Sequence, residues 1–72
     1  MCGIICYTGT DEAEPILIEG LKRLEYRGYD SAGIAVQDGD HVEWHRTVGK
    51  IVELERRIQG MEIRGTSGIA HT

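Results

Sequence analysis

This sequence predicts an α+β fold, a sheet layered against helices, on three observations. The first is a short apolar, partly β-branched run at residues 3–8 (GIICYT), which reads as a buried strand. The second is a helical stretch in which Ala13, Ile16, Leu17, Gly20, Leu21 and Leu24 recur at three- and four-residue spacing. The third is Asp38-Gly39 between two strand-like runs, a strong two-residue hairpin signal. With a second short helix and a final apolar segment, the order is strand, helix, hairpin, helix, strand. Sheets with segregated helices are the α+β pattern.

Each element follows from local chemistry. Gly9-Thr10-Asp11 ends the first strand, and Asp11 with Glu14 reads as a capping box for the first helix. Pro15 is tolerated there because it falls in the first turn. Glu19 and Arg23 suit an i, i+4 pair on the polar face, and Gly28 is the expected left-handed stop. The hairpin pairs residues 32–37 (AGIAVQ) with 41–48 (HVEWHRTV). In the second of these, Val42, Trp44, Arg46 and Val48 share one face, and His41, Glu43, His45 and Thr47 the other. Gly49 opens a short helix with Ile51, Leu54 and Ile58 inward and Glu53 and Arg57 outward. After the Gly60 break, residues 65–68 (GTSG) form a turn into a last strand, 69–72 (IAHT). That strand has no terminator, so residues 1–72 read as one portion of a domain, without a second domain or a linker.

Composition narrows the function. A chain of 72 residues makes at most one small domain, burying only about 60% of its unfolded surface. A net charge of −4 supplies no basic face for nucleic acid. No run of roughly 18 apolar residues predicts a membrane span. The start lacks a basic, signal-like segment, so a cytoplasmic location is expected. Cys2 and Cys6 fall on one face of the first strand, about 13 Å apart at roughly 3.3 Å per residue. A disulfide needs Cα atoms within about 7 Å, so none is expected. The sequence contains no asparagine.

Cys2 is the first candidate for chemistry, and by position alone it also reads as a surface cysteine at a frayed terminus. Removal of Met1, which a small second side chain permits, would leave a thiol and a free α-amine on one residue. Their reference pKa values are about 8.5 and about 7.7–8.0, so the amine is partly neutral near pH 7 and can take the thiol proton. Nucleophile and base then belong to one residue. Gly3 adds no side chain against an approaching carbonyl. Other candidates are weaker. Asp30 and Ser31 are neighbours that point opposite ways on an extended segment, which rules out a serine triad. His41 and His45 would stand about 13 Å apart on a strand, too far to share a metal, so solvent-facing polarity accounts for HVEWH. His71 has no evident partner. No metal and no cofactor is expected.

Three stretches together, MCGI at 1–4, RGYDSAGIA at 27–35 and GIAHT at 68–72, resemble the amino-terminal glutaminase domain of class II glutamine amidotransferases across essentially the whole chain. Residues 24–31 (LEYRGYDS) look like the branch that aminates fructose 6-phosphate. The amidophosphoribosyltransferase branch usually has histidine before the Arg-Gly pair and glutamine after it. The resemblance implies an N-terminal-nucleophile αββα four-layer sandwich, of which this chain is an incomplete part. It implies Cys2 as the nucleophile on the glutamine side-chain amide, and Arg27 as a residue shaping the substrate site. The ammonia released would convert fructose 6-phosphate to glucosamine 6-phosphate in a full enzyme that is a homo-oligomer.

The family also uses an arginine and a tryptophan just after His-Thr, and an asparagine in its oxyanion hole. An oxyanion donor is worth about 2.7–4 kcal/mol, or 10²–10³ in rate. Residues 1–72 alone are therefore expected to have little or no glutaminase activity and, with open sheet edges, to fold poorly. The alternatives are another class II amidotransferase, such as an amidophosphoribosyltransferase, and a non-catalytic split module completed by a partner chain.

Overall fold

The computed structural model describes residues 2–28 and 30–72, Arg27 by its backbone alone. The elements are β1 (Ile4–Thr8), α1 (Ala13–Leu24), a 3₁₀ turn (Glu25–Arg27), β2 (Ser31–Asp38), β3 (His41–Val48), α2 (Ile51–Ile58) and β4 (Ser67–His71). The mixed helix-and-sheet expectation holds. The strands form one antiparallel sheet in the order β1-β4-β2-β3. The last strand in sequence is therefore central, and the first, expected to be buried, lies at an edge with alternating exposure. The sheet does not close on itself as a complete sandwich would.

Both helices cover the same face. Ala32, Ile34 and Val36 of β2, with Ala70 of β4, pack against Ala13, Leu17, Ile18 and Leu21 of α1 and Ile51, Leu54 and Ile58 of α2. Ile5 and Tyr7 of β1 pack against this core. The expected inward stripe of α2 is borne out in full. That of α1 is rotated, since Ile18 is buried where Ile16 is only half-buried. The cause is that α1 packs on α2 as well as on the sheet, and Ile18 lies in the groove between the helices with Val52.

Several local expectations change. Asp11 and Glu14 form no capping box. Glu12 takes the N-cap position of α1, and its carboxylate accepts the Gly65 N–H instead of one in its own helix. The Gly65 carbonyl accepts the Ala13 N–H at 2.8 Å, so the start of α1 is fastened to the chain entering β4. On α1 the ion pair found among the described residues is Lys22–Glu55, reaching α2 at 2.9 Å, rather than Glu19–Arg23. The hairpin loop is Gly39-Asp40, one residue later than expected, because Asp38 still pairs with His41. Gly39 has φ +65° and, among the described residues, no non-glycine residue has positive φ, the pattern of a type II′ turn.

The faces of β3 hold the largest surprise. Glu43, His45 and Thr47 pair with Val36, Ile34 and Ala32, whose side chains are in the core, so the polar face turns toward the helices. The Val42-Trp44-Val48 face points away from them. HVEWH is thus not simple solvent-facing polarity.

Candidate functional site

Cys2 precedes β1 and is exposed. Ile5 and Tyr7 face the helices, and a Cβ added to Gly3 would stand 2.5 Å from Leu24 Cδ1. Alternation then turns Cys2 to the opposite, open side of the sheet. Its neighbour is held by the backbone, because the Thr72 N–H donates to the Gly3 carbonyl at 3.0 Å.

The start of β2 comes to this same end. Since Ile4 pairs with His71 and His71 with Gly33, Ser31 falls in the row that contains Cys2. It lies two strand spacings, roughly 9–10 Å, away. Gly28, at φ 110° and ψ 163°, closes the 3₁₀ turn through its N–H to the Glu25 carbonyl. That conformation is one that only glycine adopts readily, though it is extended rather than the left-handed helical stop anticipated. The Gly49 N–H donates to the Asp30 carbonyl at 2.8 Å, tying the loop to the end of β3. Arg27 ends the 3₁₀ turn just before Gly28, and its side chain lies outside the described residues.

The open face carries two shallow grooves. One, of about 180 Å³, has Gly33 in its lining with His71, Arg46, Trp44 and Ile69 around it. The other, of about 480 Å³, lies toward the far end and includes Cys6, Thr8, Gln37 and Ser67. Thr8 Oγ1 and Ser67 Oγ share a 2.7 Å hydrogen bond there. Cys2 lines neither groove. Cys2 and Cys6 are both free thiols. Ile4, Trp44 and Val48 on this face are 75%, 65% and 81% exposed.

Sequence reasoning missed the polar contacts on the helix side. His45 Nε2 and Glu43 Oε2 lie 2.9 Å apart, partly buried beside α2. The Glu25 carboxylate accepts the Ile51 N–H at 2.9 Å, capping α2 from 26 residues away. No local signal announces such a cap, whereas i, i+2 spacing on a strand does announce a same-face pair like Glu43–His45. Between the helices, burial and then the charge of Glu55 push the Glu14 carboxyl above its usual range. The hydrogen bond to Glu55, reinforced by its charge, holds the Lys22 ammonium up.

Comparison with known proteins finds no matching family model. The chain is similar to proteins named glutamine–fructose-6-phosphate aminotransferase [isomerizing]. Those of Bacteroides thetaiotaomicron, Brucella abortus and Methanosarcina mazei are 56% identical over 73 residues, 53% over 72 and 53% over 72. Each match covers 100% of this chain, but only 12%, 12% and 11% of the relative. The chain thus spans little more than a tenth of the length of the curated relatives it matches.

Proposed function

We propose that this chain is a glutamine-hydrolysing portion of an enzyme in the glutamine–fructose-6-phosphate aminotransferase family. Identity of 47–56% across the whole chain supports membership at the level of the family. The observation that carries the finer reading is Cys2. It follows the initiator position, faces the open side of the sheet, and is held through the Gly3 carbonyl at the end where Ser31 falls in its row.

With Met1 removed, the α-amine of Cys2 accepts the thiol proton and the sulfur attacks the glutamine side-chain carbonyl. The tetrahedral intermediate collapses, the amide nitrogen takes a proton and leaves as ammonia, and a γ-glutamyl thioester remains. Water adds to the thioester, releasing glutamate and restoring the thiol. The net change is glutamine plus water to glutamate plus ammonia. In the full enzyme the ammonia aminates fructose 6-phosphate to glucosamine 6-phosphate, and Arg27 helps shape the glutamine site. The uncovered apolar face supports a sandwich in which a second sheet packs on this one. A helix layer and a sheet layer, as found here, are half of such an αββα arrangement.

The test is an intact-mass spectrum of the full-length protein after exposure to a diazo-ketone analogue of glutamine. The expected result is one stoichiometric adduct on Cys2 of a chain lacking Met1, and none where Met1 is retained, because an acylated nitrogen is no base. Labelling of Cys2 no faster than Cys6 would refute the assignment.

A further inference from the structure

His71 has no part in the chemistry proposed above, yet its exposed side chain lies over Gly33. A Cβ built on Gly33 would stand 3.2 Å from His71 Nε2 and 3.2 Å from the His45 carbonyl oxygen. The side chain that Gly33 lacks is therefore the space against which the imidazole rests. Gly33 and His71 are register partners, and His71 pairs on its other side with Ile4. The next residue, Thr72, donates its N–H to the Gly3 carbonyl at 3.0 Å. Gly3 in turn abuts Leu24 of α1. From Gly33 to Cys2 the contacts are continuous.

We infer that His71 is a positioning residue for Cys2. Its ring, keyed into the notch at Gly33, fixes the end of β4, and the Thr72 N–H passes that placement to Gly3 and so to the nucleophile. The inference rests on the reading of Cys2 given above. The ring acts by shape and touches no reacting atom. A nucleophile displaced by about 1 Å loses on the order of 10² in rate, which sets the scale of the effect.

The test uses the full-length protein with His71→Ser, His71→Phe, Gly33→Ala and the double variant Gly33→Ala/His71→Ser. The readouts are kcat and KM for glutamine hydrolysis, and alkylation of Cys2 against Cys6, an exposed thiol of β1. His71→Ser and Gly33→Ala should each lower kcat about 10- to 100-fold with little change in KM. The double variant should be no worse than Gly33→Ala alone, since the His71 contact is already lost there and the approach to the His45 carbonyl is common to both. His71→Phe, which refills the notch, should stay within about threefold of wild type. Cys2 alkylation should change in the damaged variants while that of Cys6 does not.

Equal losses in the Ser and Phe variants, multiplicative losses in the double variant, or parallel changes at both cysteines would overturn the inference. Should Gly33→Ala fail to fold, the Ser and Phe variants decide between them. A wild-type Cys2 no more reactive than Cys6 toward the glutamine analogue would instead refute the proposed function itself, and this inference with it.

Discussion

Replacing Gly65 with alanine tests the fold where it is most tightly specified. Gly65 has φ +139°, and an added Cβ would lie 2.2 Å from the Gln37 carbonyl oxygen and 2.7 Å from Val36 Cγ1. The first of these is backbone of β2, which cannot swing aside. A non-glycine residue in this conformation costs about 1–3 kcal/mol. Moving the chain away also strains the Ala13 N–H to Gly65 O bond and the Gly65 N–H to Glu12 bond, at about 1 kcal/mol each. The sum is about 3–5 kcal/mol. At 0.05–0.15 kcal/mol per residue, 72 residues carry roughly 4–11 kcal/mol of stability, so the substitution removes a large share.

Gly60 is the internal control. It has φ +82° with nothing within 4 Å of its Cβ position, so Gly60→Ala carries only the backbone cost, about 1–2 kcal/mol. The assay is native-state hydrogen exchange in the full-length protein, read at the Ala13 amide and its neighbours in α1. At a factor of ten per 1.4 kcal/mol, Gly65→Ala should speed exchange on the order of 10²–10⁴-fold, and Gly60→Ala roughly 5- to 30-fold. Equal effects of the two would refute the claim that Gly65 joins α1 to β2 and β4.

Two further outcomes follow from packing and charge. Leu54 is fully buried, so Leu54→Ala should cost about 2–5 kcal/mol in urea unfolding, whereas Val52→Ala, at an exposed position of the same helix, should cost far less. Glu14 has a folded pKa raised above its reference, by burial first and Glu55 second. The folded state therefore holds its proton more tightly, and this contribution favours folding most below about pH 4.5. It fades as pH rises through the folded value. Glu14→Gln should thus stabilise the protein at pH 7 relative to wild type, with the gain vanishing in acid. A gain that grew as pH fell would reverse the assigned cause.

How much the sequence disclosed depended on whether the signal was local. The three inward residues of α2, eight residues long, were legible because that helix has one buried side and a clean period. The stripe of α1 was half legible, because a second helix beside it selects Ile18 over Ile16, and nothing within α1 encodes a neighbour more than 30 residues on. Capping failed for a related reason. Asp11-x-x-Glu14 is a valid local pattern, but the orphan N–H groups of α1 have a competing acceptor in the Gly65 carbonyl. On β3, alternation separated the residues into two faces correctly yet could not say which face the helices cover. For the candidate site, Cys2 and the 27–35 stretch were singled out by a family resemblance, since position alone left Cys2 open to being a surface cysteine and the stretch to being a connecting turn. Their convergence depends on β4 inserting between β1 and β2, a non-local pairing that no single segment announces.

The exposed face of the sheet gives the placement of Cys2 its meaning. A strand covered on one side alternates apolar inward and polar outward. Here β3 does the reverse, with Glu43 and His45 toward the helices and Val42, Trp44 and Val48 away, on the same side of the sheet as the exposed Ile69 of β4 and Ile4 of β1. A sheet with apolar groups on both faces is suited to burial on both, and a contiguous apolar patch of this kind marks a contact surface. Cys2 points to that same uncovered side, as does Ser31 in its row. On the proposed reading, the layer that covers Trp44 and Ile69 also roofs the nucleophile. It keeps bulk water from the nucleophile while the thiol attacks glutamine, and it confines the ammonia released. Retention of Met1 and an unclosed face would then each abolish activity, for separable reasons. The first removes the base and leaves the pocket intact, whereas the second leaves the base but admits solvent. Cys2 alkylation at pH 7 tells them apart, since only retained Met1 deprives the thiol of its own amine.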